Sequence, residues 1–139
     1  MDLNGILVKK LVVGILFLGD DFLIFEDVCK CKFTNSFKLE ADFSADPIWC
    51  NVCGWNLDIE DFPLSDNLQK ELWEWVLEYG KWIDLEKDSL KENGFKLEDD
   101  HNEKGLQLFQ EVKKQLGEKI PIVFVPSKSA QLYNNLKNN

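Results

Sequence analysis

CKCKFTNSFKLEADFSADPIWCNVCG, residues 29–54, holds all four cysteines of this 139-residue chain. Cys29 and Cys31 make a Cys-x-Cys pair, eighteen residues follow, and Cys50 and Cys53 make a Cys-x-x-Cys pair just before Gly54. Thiolates are soft ligands, and four of them clustered this way suit one tetrahedral Zn²⁺. Cys-x-x-Cys-Gly has the shape of a metal-binding turn. The turn aims backbone N–H groups at sulfur, and the glycine supplies a positive φ after the second ligand. The first pair departs from the pattern by one residue and requires a tighter turn. An iron or iron–sulfur site and a pair of disulfides are the alternatives. A four-cysteine site has no open coordination position, so the expected ion is structural and does no Lewis-acid chemistry.

Working outward, Phe33, Phe37, Leu39 and Phe43 roughly alternate with polar residues between the two pairs. Asn35-Ser36 and 44–47 supply turns, so two short strands are expected to join the two metal-binding turns. Upstream, residues 1–28 are apolar. Runs at 6–18 and 22–28 flank Gly19-Asp20-Asp21, which reads as a β-hairpin, with Gly14 a candidate bulge. A membrane-associated segment and a start-site extension are the alternatives. The apolar run at 11–18 is too short to span a bilayer, and no small-residue cleavage site follows it, so the expected location is cytoplasmic.

Downstream, residues 58–64 connect to a helix. Asp66 as N-cap with Gln69 three residues on reads as a capping box. Leu68, Leu72, Trp75, Val76 and Tyr79 follow at helical spacing, with Ile83 continuing the stripe, and Lys70, Glu71, Glu74, Glu78 and Lys81 lie opposite. Gly80 is the candidate end, although Lys81-Trp82-Ile83 could add a turn. Asn93-Gly94 reads as a turn, with a short strand at 95–97. A second helix is then expected from Asp100 as N-cap, with Glu103 at the capping-box position, through Leu106, Phe109, Val112 and Leu116 to Gly117. On that reading His101, the only histidine, is part of a helix cap at the surface, and the carboxylates at 98–100 are solvated. Residues 120–125 read as a short terminal strand, and Pro121 suggests an edge position. Residues 127–139 read as a fraying tail.

Net charge is −9, from 25 acids and 16 bases, every base a lysine. Arginine is the usual reader of phosphate and guanine edges, so an acidic chain without it is a poor candidate for sequence-reading DNA binding. Residues 58–105 alone carry 15 acids against 6 lysines, which places the acidic face after the cysteine stretch. All five tryptophans, Trp49, Trp55, Trp73, Trp75 and Trp82, fall within residues 49–82. They are expected to form one core against the cysteine module, with Trp73 off the apolar stripe and available to a partner. There is no Gly-rich phosphate loop, nucleophile elbow or His-Glu-x-x-His, and no catalytic residue is assigned.

The cysteine stretch resembles zinc-ribbon modules over 29–57. The run from Cys29 to Ser127 looks like small acidic zinc-ribbon proteins of Gram-positive bacteria and their mobile elements. The segments that carry this second likeness are Cys-x-Cys-x-Phe-Thr-Asn-Ser-Phe at 29–37, Asp46-Pro47-Ile48-Trp49-Cys50 and Tyr79-Gly80-Lys81-Trp82-Ile83-Asp84. It implies no activity and leaves residues 1–25 outside.

The expected fold is α+β: an N-terminal β-hairpin and a four-cysteine zinc ribbon packed on two amphipathic helices, with a short C-terminal edge strand. The expected parts are 1–28, a ribbon at 29–57, a helical part at 58–126 and a tail at 127–139. Cys29, Cys31, Cys50 and Cys53 would hold one structural Zn²⁺. The expected function is that of a non-enzymatic, zinc-stabilised acidic module that binds a protein, as an inhibitor or immunity-type partner of a basic protein. Trp73, Glu71, Glu74 and Glu78 are the expected contact residues. One alternative is nucleic-acid binding through Lys30, Lys32 and Lys38. Others are an enzyme site around Asp99, Asp100, His101 and Glu103, and a redox or metal-storage role.

Overall fold

The structure, a computed structural model, describes residues 15–18, 22–25 and 36–137. The expected N-terminal hairpin is present where the chain is described. Strand β1 (Ile15–Leu18) pairs antiparallel with β2 (Phe22–Phe25), Leu18 opposite Phe22. Residues 6–14, 19–21 and 26–28, the rest of that expected hairpin including its turn, lie outside the described residues, as do Cys29, Lys30, Cys31, Lys32 and Phe33.

The two strands expected between the cysteine pairs are β3 (Phe37–Leu39) and β4 (Ile48–Cys50), an antiparallel pair with Phe37 opposite Cys50. They are the centre of a four-stranded sheet. Strand β5 (Asn56–Leu57) extends it beside β4. On the other side, β8 (Ile122–Phe124) runs parallel to β3 and forms the edge that Pro121 suggested. The order across the sheet is β5-β4-β3-β8. The period-two pattern sends Phe37, Leu39, Ile48 and Cys50 inward, while Lys38 and Trp49 face outward. The Trp49 indole N–H donates to the Glu40 carbonyl at 2.9 Å, which satisfies its polar edge on that outer face.

Helix α1 (Asp66–Leu77) covers the inner face with Leu68, Leu72, Trp75 and Val76, the stripe read from sequence. Its cap differs from expectation. Ser65, one residue before Asp66, is the N-cap, and its Oγ accepts from the Leu68 N–H at 3.1 Å. Gln69 does not close a capping box; its side chain donates to the Leu64 carbonyl. The Ser65 N–H is met instead by Gln115 Oε1 at 2.7 Å, from the far end of the next helix. After α1 the chain turns through Gly80, whose φ of +87° only glycine adopts without strain. It then forms the small hairpin β6 (Ile83–Asp84) and β7 (Ser89–Leu90), so Ile83 belongs to a strand and not to an added helical turn.

Helix α2 (Gly94–Leu116) is longer than the sequence suggested. Asn93-Gly94 is its start, and Phe95–Leu97 is its first turn and not a strand. Asp100 is therefore inside the helix and caps nothing. The buried positions are Gly94, Glu98, His101, Gly105, Leu108, Phe109, Val112 and Leu116, a helical stripe whose first half carries a carboxylate, an imidazole and glycines. Leu106, expected on that stripe, faces outward. Gly105 is required by contact: a Cβ there would overlap the Trp75 ring.

Residues 129–137, expected as a tail, form helix α3 (Ser129–Lys137). Glu98 anchors it. The Glu98 carboxylate is buried, not solvated, and accepts from the Ala130 N–H at 3.0 Å and from Ser127 Oγ at 2.6 Å. A carboxylate at a helix N-terminus satisfies an orphan donor and the helix dipole together. The core is one cluster spanning the sheet, α1 and α2, with a smaller cluster of Trp82, Ile83 and Ala130 beside it. The tryptophans do not share one core: Trp75 is in the first cluster and Trp82 in the second, while Trp55 and Trp73 are exposed.

Candidate functional site

Helices α1 and α2 are joined at Trp75 and His101. The Trp75 indole N–H donates to the His101 carbonyl at 2.9 Å, and His101 Nε2 lies 3.0 Å from the Trp75 carbonyl. A carbonyl only accepts, so Nε2 carries the proton and Nδ1 holds the lone pair. The two rings stack at 4.8 Å and 9°, with Trp82 at 5.1 Å from the imidazole on another side. His101 is thus a buried residue of the interhelical contact and not part of a surface cap. Its Nδ1 is closed to solvent and has no hydrogen-bond partner among the described residues.

Burial pushes the His101 imidazole below its ordinary value of 6.5, against the pull of the Trp75 carbonyl, Glu78 and Glu98. The unfolded chain therefore binds a proton at a higher pH than the folded one. Stability should fall as pH drops from 6.5 toward the folded value, then level off. Urea midpoints taken on either side of this window check it. His101→Phe should flatten that step, and an unchanged step would show that another group causes it.

Beside this contact α1 and α2 leave a groove of about 400 Å³. Trp75, Trp82, Leu97 and His101 contribute its apolar and aromatic lining, and Glu71, Glu74, Glu78 and Asp100 its carboxylates, against Lys81 and Lys104. Lys81 already pairs with Glu78 at 2.7 Å, and Asp100 with Lys96 at 3.0 Å, both at the surface. Exposed pairs of this kind contribute little, about 0–1 kcal/mol each. Glu74 and Glu78 sit at the C-terminal end of α1, and the last turn of α1 holds no base. The helix dipole disfavours acids there by roughly 0.3–1 kcal/mol each, so they do not stabilise the helix.

Three of the four residues read from sequence as a contact surface, Glu71, Glu74 and Glu78, are brought together on this groove. Trp73 is not among its lining residues; it is exposed at 37% elsewhere on α1. Of the set around His101, Asp100 lines the groove, whereas Asp99 and Glu103 do not. Trp75, Trp82, Leu97, Lys81 and Lys104 were missed as site residues. The spacing 71, 74, 75, 78 on one helix and 97, 100, 101, 104 on the next is a helical-face pattern that mixes acids with aromatics, and it was the available signal.

The cysteine site can be followed only at its second half. Cys50 ends β4 and is buried, and Cys53 is exposed. The Val52 N–H points to Cys50 Sγ at 3.4 Å, the Gly54 N–H donates to the Cys50 carbonyl at 3.0 Å, and Gly54 has φ +78°. These are the backbone features expected of a Cys-x-x-Cys-Gly turn, with Cys50 packed in the apolar core and Cys53 at the surface. Cys29 and Cys31 lie outside the described residues. Among the described residues no group of three or more His, Cys, Asp or Glu could hold a metal. Of the lysines considered for nucleic acid, Lys38 pairs with Glu40 at 2.9 Å, while Lys30 and Lys32 lie outside the described residues. No helix among the described residues is long and apolar enough to cross a membrane.

The sequence matches a family described as Serratia CdiI immunity protein-like over residues 35–127, more than half of the chain. No curated protein matches it. The matched span contains the four-stranded sheet, α1, α2 and the groove. It includes Cys50 and Cys53 but not Cys29 or Cys31, and it is not a zinc-ribbon match.

Proposed function

The chain belongs to the Serratia CdiI immunity protein-like family, and on that premise we propose that it is a non-enzymatic immunity protein that binds and neutralises a toxin. The family match carries the reading. The groove between α1 and α2 supports a contact face for it: Glu71, Glu74, Glu78 and Asp100 gather there, and Glu74 and Glu78 stand at a helix end where the dipole disfavours acids. Such a field speeds association with a basic surface and weakens with salt.

The test is protection. The partner to express is a toxin that kills cells lacking this chain, sought among the reading frames beside its gene. Cells making it should survive when this chain is co-expressed and die when it is not. Death in both cases would overturn the immunity reading. Reversing two charges, Glu74→Lys with Glu78→Lys, should weaken toxin binding about 100-fold, equivalent to about 2.7 kcal/mol. Both side chains are exposed at the C-terminal end of α1, where lysines suit the helix dipole, so folding stability should not fall and should rise by about 1 kcal/mol. Calorimetric titration and thermal melting read the two quantities.

We also propose one structural Zn²⁺ on Cys29, Cys31, Cys50 and Cys53. The hydrogen-bonded turn around Cys50 supports it. The ion would hold the segment before β3 to the end of β4 and take no part in recognition.

A further inference from the structure

We propose that α3 and the β6–β7 hairpin form a self-complementary face on which a second copy of this chain docks, making a two-fold dimer. The middle of the face is apolar. Leu85 in the β6–β7 turn, and Leu132 and Leu136 one helical turn apart on α3, are each 60% exposed or more. The two elements adjoin. Tyr133 and Leu136 from α3 and Lys87, Asp88 and Ser89 from the hairpin line one depression, where the Tyr133 hydroxyl donates to the Asp88 carboxylate. A single leucine at a surface is ordinary, but three on adjoining elements make a patch. None of the three lines the groove between α1 and α2, and α3 begins past residue 127, where the family match ends. The face is therefore separate from the one assigned to the toxin, and the inference stands without the immunity reading.

Charge decides the occupant. Residues 126–139 carry two lysines and no acid, whereas residues 83–90 carry Asp84, Glu86 and Asp88 against Lys87 alone. Lys128 leads the leucine stripe. Its carbonyl accepts from the Leu132 N–H at 3.1 Å, so Lys128, Leu132 and Leu136 follow at four-residue spacing on one side of the helix. Lys128 and Glu86 are both exposed. The patch thus has a basic half and an acidic half side by side. A two-fold axis between them lays the basic half of one copy on the acidic half of the other, twice, and brings the leucines together at the centre. Setting one α3 directly on another would oppose lysines, which is unfavourable.

Sedimentation of the full chain, with a reductant present, from about 10 to about 500 μM tests it. The expected result is a concentration-dependent rise from 16.2 kDa toward twice that mass. Lys128→Glu and Glu86→Lys should each weaken self-association roughly tenfold, because like charges then meet at both contacts. An equimolar mixture of the two variants should regain the association of the unaltered chain, since each contact again pairs opposite charges. Leu132→Gln with Leu136→Gln should give a monomer whose thermal melt is unchanged, both side chains being exposed. A monomer at every concentration would overturn the inference, as would self-association that ignores the two charge reversals or that mixing fails to restore. A monomeric chain whose Glu86 is shielded from carboxylate labelling only when toxin is added would give the face to the toxin and overturn the inference as well.

Discussion

Trp75→Ala should cost about 3–5 kcal/mol, a large share of the roughly 5–15 kcal/mol that separates a folded domain from its unfolded chain. Three losses combine. The indole is 3% exposed and fills the space between α1 and α2, against Gly105, which has no side chain to expand into the cavity. Its N–H leaves the His101 carbonyl without its donor. Its ring leaves the stacked His101 imidazole with one face uncovered. Leu77→Ala, two residues further along the same helix and 70% exposed, should stay within about 0.5 kcal/mol. Urea unfolding of both variants makes the comparison. Similar losses at the two positions would show that the α1–α2 contact does not hold the fold as described.

On the proposed four-cysteine site, Cys53→Ser should release one equivalent of Zn²⁺ and destabilise the protein by several kcal/mol. Structural zinc binding is folding free energy, on the order of 10 kcal/mol in zinc-finger peptides. Cys53 is the informative cysteine because it is exposed. Replacing Cys50, which is buried among Phe37 and other core residues, would destabilise the sheet with or without a metal. Serine at an exposed position that holds no ion should cost less than about 0.5 kcal/mol. Metal content by native mass spectrometry, read with thermal melting, separates the outcomes. An unchanged melt with no zinc in the parent protein would remove the metal from the account.

Much of this fold is legible in the sequence. Leu68, Leu72, Trp75 and Val76 mark α1 because an ordinary apolar stripe repeats at helical spacing. Pro121 marks β8 as an edge because it lacks an N–H for the ladder. The β3–β4 pair follows from alternation through Phe37 and Leu39. The first half of α2 was not legible, because its core positions are Glu98, His101 and Gly105. Each is buried only because of a partner distant in the chain: Ala130 and Ser127 for Glu98, the Trp75 carbonyl for His101, the Trp75 ring for Gly105. A periodicity argument treats all three as surface, and so it began the helix at Asp100. The same cause hid α3, whose first turn is held by Glu98 from another helix. The groove was half visible. Its acids lay in the sequence as a run of charge, but which acids face a cavity depends on the α1–α2 crossing, and that is set at Trp75 and His101.

Carboxylate footprinting locates the proposed contact between the α1–α2 groove and the toxin. Carbodiimide-driven labelling of acids is compared for the protein alone and in complex with its toxin. Labelling should slow at Glu71, Glu74, Glu78 and Asp100, with Asp42, Glu86 and Glu118, which are exposed and do not line the groove, unchanged. Slower labelling at those three with the groove acids unchanged would contradict it.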